Sequence, residues 1–89
     1  MMKYRDLERV VKGFSNHRRI QILELLQREP ELSLMEIAES LSINFKTAGE
    51  HTRRLVHASL VMKRNDFHAV RHALTKQGLY VLKFLRTLE

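Results

Sequence analysis

Apolar residues recur along this chain at two different periods, and the change of period divides it. Residues 3–14 carry Tyr4, Leu7, Val10, Val11 and Phe14 at steps of three and four with charges between them, the spacing of one helical face. Gly13 falls near the end of that run. Ser15 and Asn16 are capping residues before HRRIQILELLQRE, where Ile20, Ile22, Leu23, Leu25 and Leu26 leave few polar positions, so a largely buried second helix is expected. Glu29-Pro30-Glu31 breaks the pattern, because proline lacks a donor and restricts the residue before it.

Ser33 with Glu36 three residues later matches a capping box, opening a short helix with Leu34, Ile37, Ala38 and Leu41 on one side. A turn follows at Ser42-Ile43-Asn44, and Asn44 can cap the next helix by accepting from a free N–H. That helix is expected from about 45 to 58, with Phe45, Ala48, Thr52 and Leu55 as its buried seam. Thr52 is the odd member, and its hydroxyl can bond back to a carbonyl one turn earlier. From Leu60 the period becomes two. Residues 60–64 and 68–74 read as strands about a polar turn at Asn65-Asp66, with Val70, His72 and Leu74 on one face and Ala69, Arg71 and Ala73 on the other. The last run, 76–88, places Leu79, Leu82, Leu85 and Leu88, with Tyr80, Val81 and Phe84 beside them, on a helix with a wide apolar surface.

The expected architecture is mainly α with a small β-hairpin (α+β): about five helices plus a two-stranded wing in a single domain, 1–89. Within it lie a helix-turn-helix at 33–58, a wing at 60–74 and a C-terminal helix at 76–88. Such a pair of helices places its second member in the DNA major groove. With Asn44 at its start, the outward residues here are Lys46, Thr47, Gly49, Glu50, His51, Arg53 and Arg54, and the candidate contacts of the wing, whose tip can lie along the adjacent minor groove or the backbone, are Lys63, Arg64, His68 and Arg71. An amphipathic helix with a solvated face has the same pattern; the hairpin that follows favours the DNA reading. Gly49, costly inside a helix by about 1 kcal/mol relative to alanine, reads either as a bare backbone allowing close approach to DNA or as a tolerated exposed glycine.

Charge sharpens this picture. The 89 residues carry a net +6, but residues 46–72 hold Lys46, Arg53, Arg54, Lys63, Arg64 and Arg71 against Glu50 and Asp66, while residues 24–45 hold Glu24, Glu29, Glu31, Glu36 and Glu39 against Arg28 alone. A basic block over the second helix and the hairpin is the footprint expected of a nucleic-acid binder, since each neutralised phosphate releases condensed counterions. There is no cysteine, hence neither a disulfide nor a thiolate metal site. No run is long enough to span a bilayer and the start lacks a secretory core, so a cytoplasmic protein is expected.

The five histidines make a poor metal set. His68 and His72 share a face but lie about 13 Å apart on an extended strand, and His51 and His57 point in different directions on their helix. A shared site between subunits using His17 or His72 stays open, and no metal or cofactor is assigned. No glycine-rich phosphate loop or nucleophile arrangement marks an enzyme.

Three stretches together carry a family resemblance. Ser15-Asn16-His17-Arg18-Arg19-Ile20-Gln21-Ile22-Leu23, the run from His51 through Leu55 to Ala58-Ser59-Leu60-Val61, and Arg64 through Leu74-Thr75-Lys76-Gln77-Gly78 resemble the ArsR-type winged-helix repressors, within the wider set that includes MarR-like regulators. The register holds from Phe14 to Gly78 with no insertion. The chain departs from that pattern at Ser59, Gly49, Thr52 and Phe67, and Leu34-Met35-Glu36-Ile37-Ala38 stands where metal-sensing members carry cysteines. The resemblance implies sequence-specific binding of double-stranded DNA by a homodimeric transcriptional regulator. Tyr4, Leu7 and Val11 of the first helix and Leu79, Leu82, Leu85 and Leu88 of the last are the expected dimer interface. Two alternatives remain: a winged helix used for protein–protein assembly, and a repressor responsive to a metal or small molecule.

Overall fold

The structure is a computed structural model that describes residues 2–89. Its elements are helices α1 (Tyr4–Phe14), α2 (His17–Arg28), α3 (Leu34–Leu41) and α4 (Phe45–His57), strands β1 (Val61–Asn65) and β2 (Val70–Leu74), and helix α5 (Lys76–Arg86). Four of the five helices start where a side chain accepts from the free N–H groups of the first turn. Asn16 caps α2 through the amides of Arg18 and Arg19, Ser33 and Glu36 form the expected capping box on α3, and Asn44 caps α4 through Lys46 and Thr47. Thr75 does more, since its hydroxyl accepts from the amide of Gly78 and donates to the carbonyl of Ser59 at 2.6 Å, tying the start of α5 to the end of α4. Both α3 and α4 end on a serine in the left-handed region, Ser42 (φ 54°) and Ser59 (φ 63°), a conformation that glycine adopts at less cost.

Helix α2 is the centre of the packing, in contact with the four other helices or the wing on all its sides. Its Ile22, Leu23, Leu25 and Leu26 meet Phe14, Ile37, Leu55, Leu60, Val61, Val81 and Leu82 in one continuous core. The seam of α4 is shorter than expected. Phe45 occupies the first helical position and is 51% exposed, so burial begins at Ala48 and continues through Thr52 and Leu55. The Thr52 hydroxyl is buried with no hydrogen-bond partner, rather than bonded back to its own helix.

The hairpin is antiparallel with Val61 opposite Leu74, Lys63 opposite His72 and Asn65 opposite Val70. Its second strand starts at Val70 rather than 68 because the Asp66 carboxylate captures the amides of His68 (2.8 Å) and Ala69 (2.9 Å), which removes them from the ladder. Val70, expected to share the inward face of His72, is exposed where the hairpin leaves the body of the domain. An isolated β-bridge, absent from the sequence reading, flanks the wing: Leu32 pairs with His72. The amide of Glu31 donates to the carbonyl of His72 and the amide of His72 to that of Leu32, both at 2.9 Å. The Nδ1–H of the buried His72 ring donates to the same Leu32 carbonyl at 2.9 Å. His72 is thereby a structural anchor of the wing.

The apolar surface of α5 also differs from expectation. Leu82 is 2% exposed and Leu85 packs against the core, so neither faces outward. Tyr80 and Phe84 do, four residues apart on one side of the helix, with Leu79 at their edge, and Leu88, expected within the helix, is exposed in the turn just after it. On α1, Tyr4 (91% exposed), Leu7 and Val11 face solvent as expected. No helix among the described residues is long and apolar enough to cross a membrane.

Candidate nucleic-acid interface

Between α4 and the wing runs a groove of about 340 Å³, lined by Lys46, Glu50 and Arg53 of α4 and Lys63 of β1, with Leu34, Gly49, Thr52 and His72 below. The helix supplies its cations at positions 46 and 53, two turns apart on one face, and the strand supplies Lys63 across from them. Among the described residues, Lys46, Arg53, Arg54 and Lys63 have no carboxylate partner, whereas other arginines of the wing do. Arg64 pairs with Glu31. Arg71 pairs with Asp66 at 3.1 Å and Glu36 at 3.5 Å, and donates to the carbonyl of Glu31. The charge polarity of the sequence thus has a structural use: Glu31, before the helix-turn-helix, and Glu36, in its first helix, meet Arg64 and Arg71 towards the outer end of the hairpin and hold it.

The sequence-derived site residues separate accordingly. Lys46, Glu50, Arg53 and Lys63 converge on the groove, and Thr47 is exposed beside them. Asn44 spends its side-chain oxygen on the amides of Lys46 (2.7 Å) and Thr47 (3.4 Å). Gly49 is half-buried at the floor of the groove, and a Cβ there would lie 3.3 Å from Leu34 Cδ2, a tight contact that a small shift of the leucine end would relieve. Arg54 lies on the other side of α4, in a second groove of about 290 Å³ with Arg5, Arg9, Lys12 and His57. Arg64 and Arg71 are held by carboxylates, and His68 lies in the wing-tip loop, outside β2.

His51 turns inward. Arg19 Nε of α2 donates to its Nδ1 at 3.2 Å, and Arg19 Nη1 donates to the carbonyl of Lys12 at 2.9 Å, so one guanidinium ties the end of α1 and the body of α2 to α4. Only a neutral ring can accept that bond, which fixes the proton on Nε2. Burial, then the charge of Arg19, lowers the His51 pKa against a weaker opposing effect of Glu50, while His17 and Arg18 add to the lowering. A depressed folded-state pKa means that this contribution to stability is intact above the ordinary value of 6.5 and is lost as pH falls below it. Thermal unfolding should therefore show a loss of stability from about pH 7.5 to about pH 5.5 that is smaller in His51→Gln, whose amide oxygen accepts from Arg19 without titrating. Equal pH dependence in both proteins would remove His51 as the titrating group. The role of Arg19 is the feature that sequence reading missed, because its partner lies in a different helix, 32 residues away.

At the wing tip, the Asp66 carboxylate is turned back onto its own loop and held by the amides of His68 and Ala69 and by Arg71, which depress its pKa to about 2. Its charge is neutralised from within and does not project outward.

The profile of the winged helix-turn-helix DNA-binding family matches residues 15–61, from the start of α2 to the first residue of β1. No curated protein matches the chain. Among solved structures, the homodimeric winged helix-turn-helix DNA-binding domain Mb0332 from Mycobacterium bovis superposes with a TM-score of 0.84 at 25% identity, over 93% of this chain and 77% of that one. HlyU from Vibrio cholerae gives 0.81 at 26% identity over 98% and 97%. The transcriptional regulator HlyU from Vibrio vulnificus gives 0.75 at 28% identity over 92% and 85%. With the matched profile spanning more than half of its residues, the chain belongs to the winged helix-turn-helix DNA-binding family.

Proposed function

We propose that this protein is a homodimeric transcriptional regulator that binds double-stranded DNA sequence-specifically through α4 and the wing, a cytoplasmic DNA-binding unit rather than an enzyme. The observation that carries the reading is the convergence of Lys46, Arg53 and Lys63, all without carboxylate partners, on the groove between α4 and β1. Cations in a folded protein that are not spent on internal ion pairs are free to replace counterions on phosphates. Lys46, Thr47 and Glu50, near the start of α4, read base edges, where Lys46 donates to guanine and Glu50 accepts from cytosine. Arg53 and Lys63 hold the backbone on either side and fix the register.

Two-fold assembly follows from apolar surface that the protomer leaves uncovered: Tyr4, Leu7 and Val11 on α1, Tyr80 and Phe84 on α5, and Leu88 in the turn after it. The similarity to a homodimeric DNA-binding domain supports the same arrangement. A symmetric dimer presents two copies of α4 to half-sites about one helical turn apart.

Fluorescence anisotropy with a mixed-sequence duplex at several salt concentrations, alongside the mass in solution, tests the reading. Micromolar binding by a dimer, weakening steeply as salt rises, is the expected result. A folded dimer that ignores DNA at low salt would overturn it.

A further inference from the structure

Phe67 sits at the tip of the wing with its ring fully exposed. Nothing in its own domain requires a phenylalanine there. The loop around it is closed by other groups: the amide of Asp66 donates to the carbonyl of Ala69 at 3.0 Å, and the Asp66 carboxylate holds the amides of His68 and Ala69 and the Nε of Arg71. These bonds close residues 66–69 into a turn and engage the one carboxylate of the tip, leaving a large apolar ring exposed beside it.

The surroundings of the ring identify what it would meet. His68 stands beside it and Lys63, without a carboxylate partner, further back on β1, and the wing continues directly from the groove between α4 and β1 that Lys63 lines. From Lys63, in that groove, Phe67 is four residues on, just past the end of β1, a reach of at most about 14 Å along the backbone. Half a turn of duplex, the step from the major groove to the neighbouring minor groove, is about 17 Å, and the side chain itself extends beyond the backbone.

We propose that Phe67 is an apolar wedge that enters the DNA minor groove next to the major groove occupied by α4, and that it favours the easily unstacked pyrimidine–purine steps. The proposal rests on the DNA-binding reading above and adds to it a contact that involves no charge.

The test compares the full chain with Phe67→Ala and Phe67→Leu on a mixed-sequence duplex of about 30 base pairs, carrying a donor and an acceptor dye at its two ends. Phe67→Ala should bind about tenfold more weakly, with an unchanged slope of log affinity against log salt because no phosphate contact is lost. It should also lose the end-to-end shortening that the unmodified protein induces. Phe67→Leu should retain most of both effects. Sites selected from a randomised duplex library should carry TA or CA steps beside the major-groove bases, a preference absent from sites selected by Phe67→Ala.

Binding and bending by Phe67→Ala equal to those of the unmodified protein would overturn the wedge and leave the DNA-binding reading intact. Failure of the unmodified protein to bind duplex would overturn both. A lower mass of Phe67→Ala in solution without DNA would assign the ring to contact between protein copies and overturn the wedge.

Discussion

Gly78→Ala is expected to destabilise the fold by about 3 kcal/mol and to lower the thermal midpoint by about 15 °C. A Cβ at this position would lie 2.3 Å from the carbonyl oxygen of Leu60 and 3.3 Å from Leu74 Cδ2. The first contact is with backbone at the head of the wing, which has no rotamer to yield, and the Leu60 carbonyl already accepts from the amide of Thr75 at 3.1 Å. Relief would require α5 to move away from β1, and α5 carries Val81 and Leu82 into the core. The same movement would displace the exposed Tyr80, Phe84 and Leu88, so the variant should also dissociate to monomers at protein concentrations where the unmodified chain is dimeric. Thermal unfolding by circular dichroism measures the first effect and sedimentation the second. A midpoint within a few degrees of the unmodified protein would show that α5 can shift without loss of packing, against the geometry described.

The second large effect concerns binding. The double variant Arg53→Ala/Lys63→Ala should lose about 100-fold in affinity for duplex DNA at moderate salt, and its log–log salt slope should fall by about 2, close to one for each phosphate contact removed. Both side chains are exposed and have no ion-pair partner, so the change in stability should stay within about 0.5 kcal/mol. Arg64→Ala/Arg71→Ala is the informative contrast. Those cations are held by Glu31, Glu36 and Asp66, so their removal should loosen the wing while changing the salt slope little. If the two double variants alter the slope equally, the separation of cations into DNA-facing and wing-holding sets is wrong.

The separation also explains why the site was only partly legible. A lysine or arginine on a surface has the same sequence signature whether it meets a phosphate or a carboxylate. Arg71 reads like Lys63 until Glu36, 35 residues away, is brought to 3.5 Å from it. His51 reads like an outward residue of α4 until Arg19 reaches it from α2. Gly49 has a leucine of the preceding helix close beside it, and no property of position 49 alone could reveal that neighbour. In the same way, Leu82 and Tyr80 are both apolar residues on a greasy helix, and which of them faces the core depends on how α5 lies across α2.

What the sequence determined by itself is the set of local structures and their order. The caps at Asn16, Ser33, Asn44 and Thr75, the break at Pro30 and the change of period at Leu60 act within a few residues of where they are written, because hydrogen bonds to free amides and the alternation of side chains are short-range effects. Every helix and both strands appear in the expected order, with shifts of one or two residues at most ends. What only the tertiary structure decided is which chemically equivalent groups are consumed inside the molecule and which are left for a partner. Ion pairing, the Leu32–His72 bridge and the packing of α5 on α2 join residues as many as 59 positions apart, and those contacts are set by the packing of the other four helices around α2, not by any local pattern.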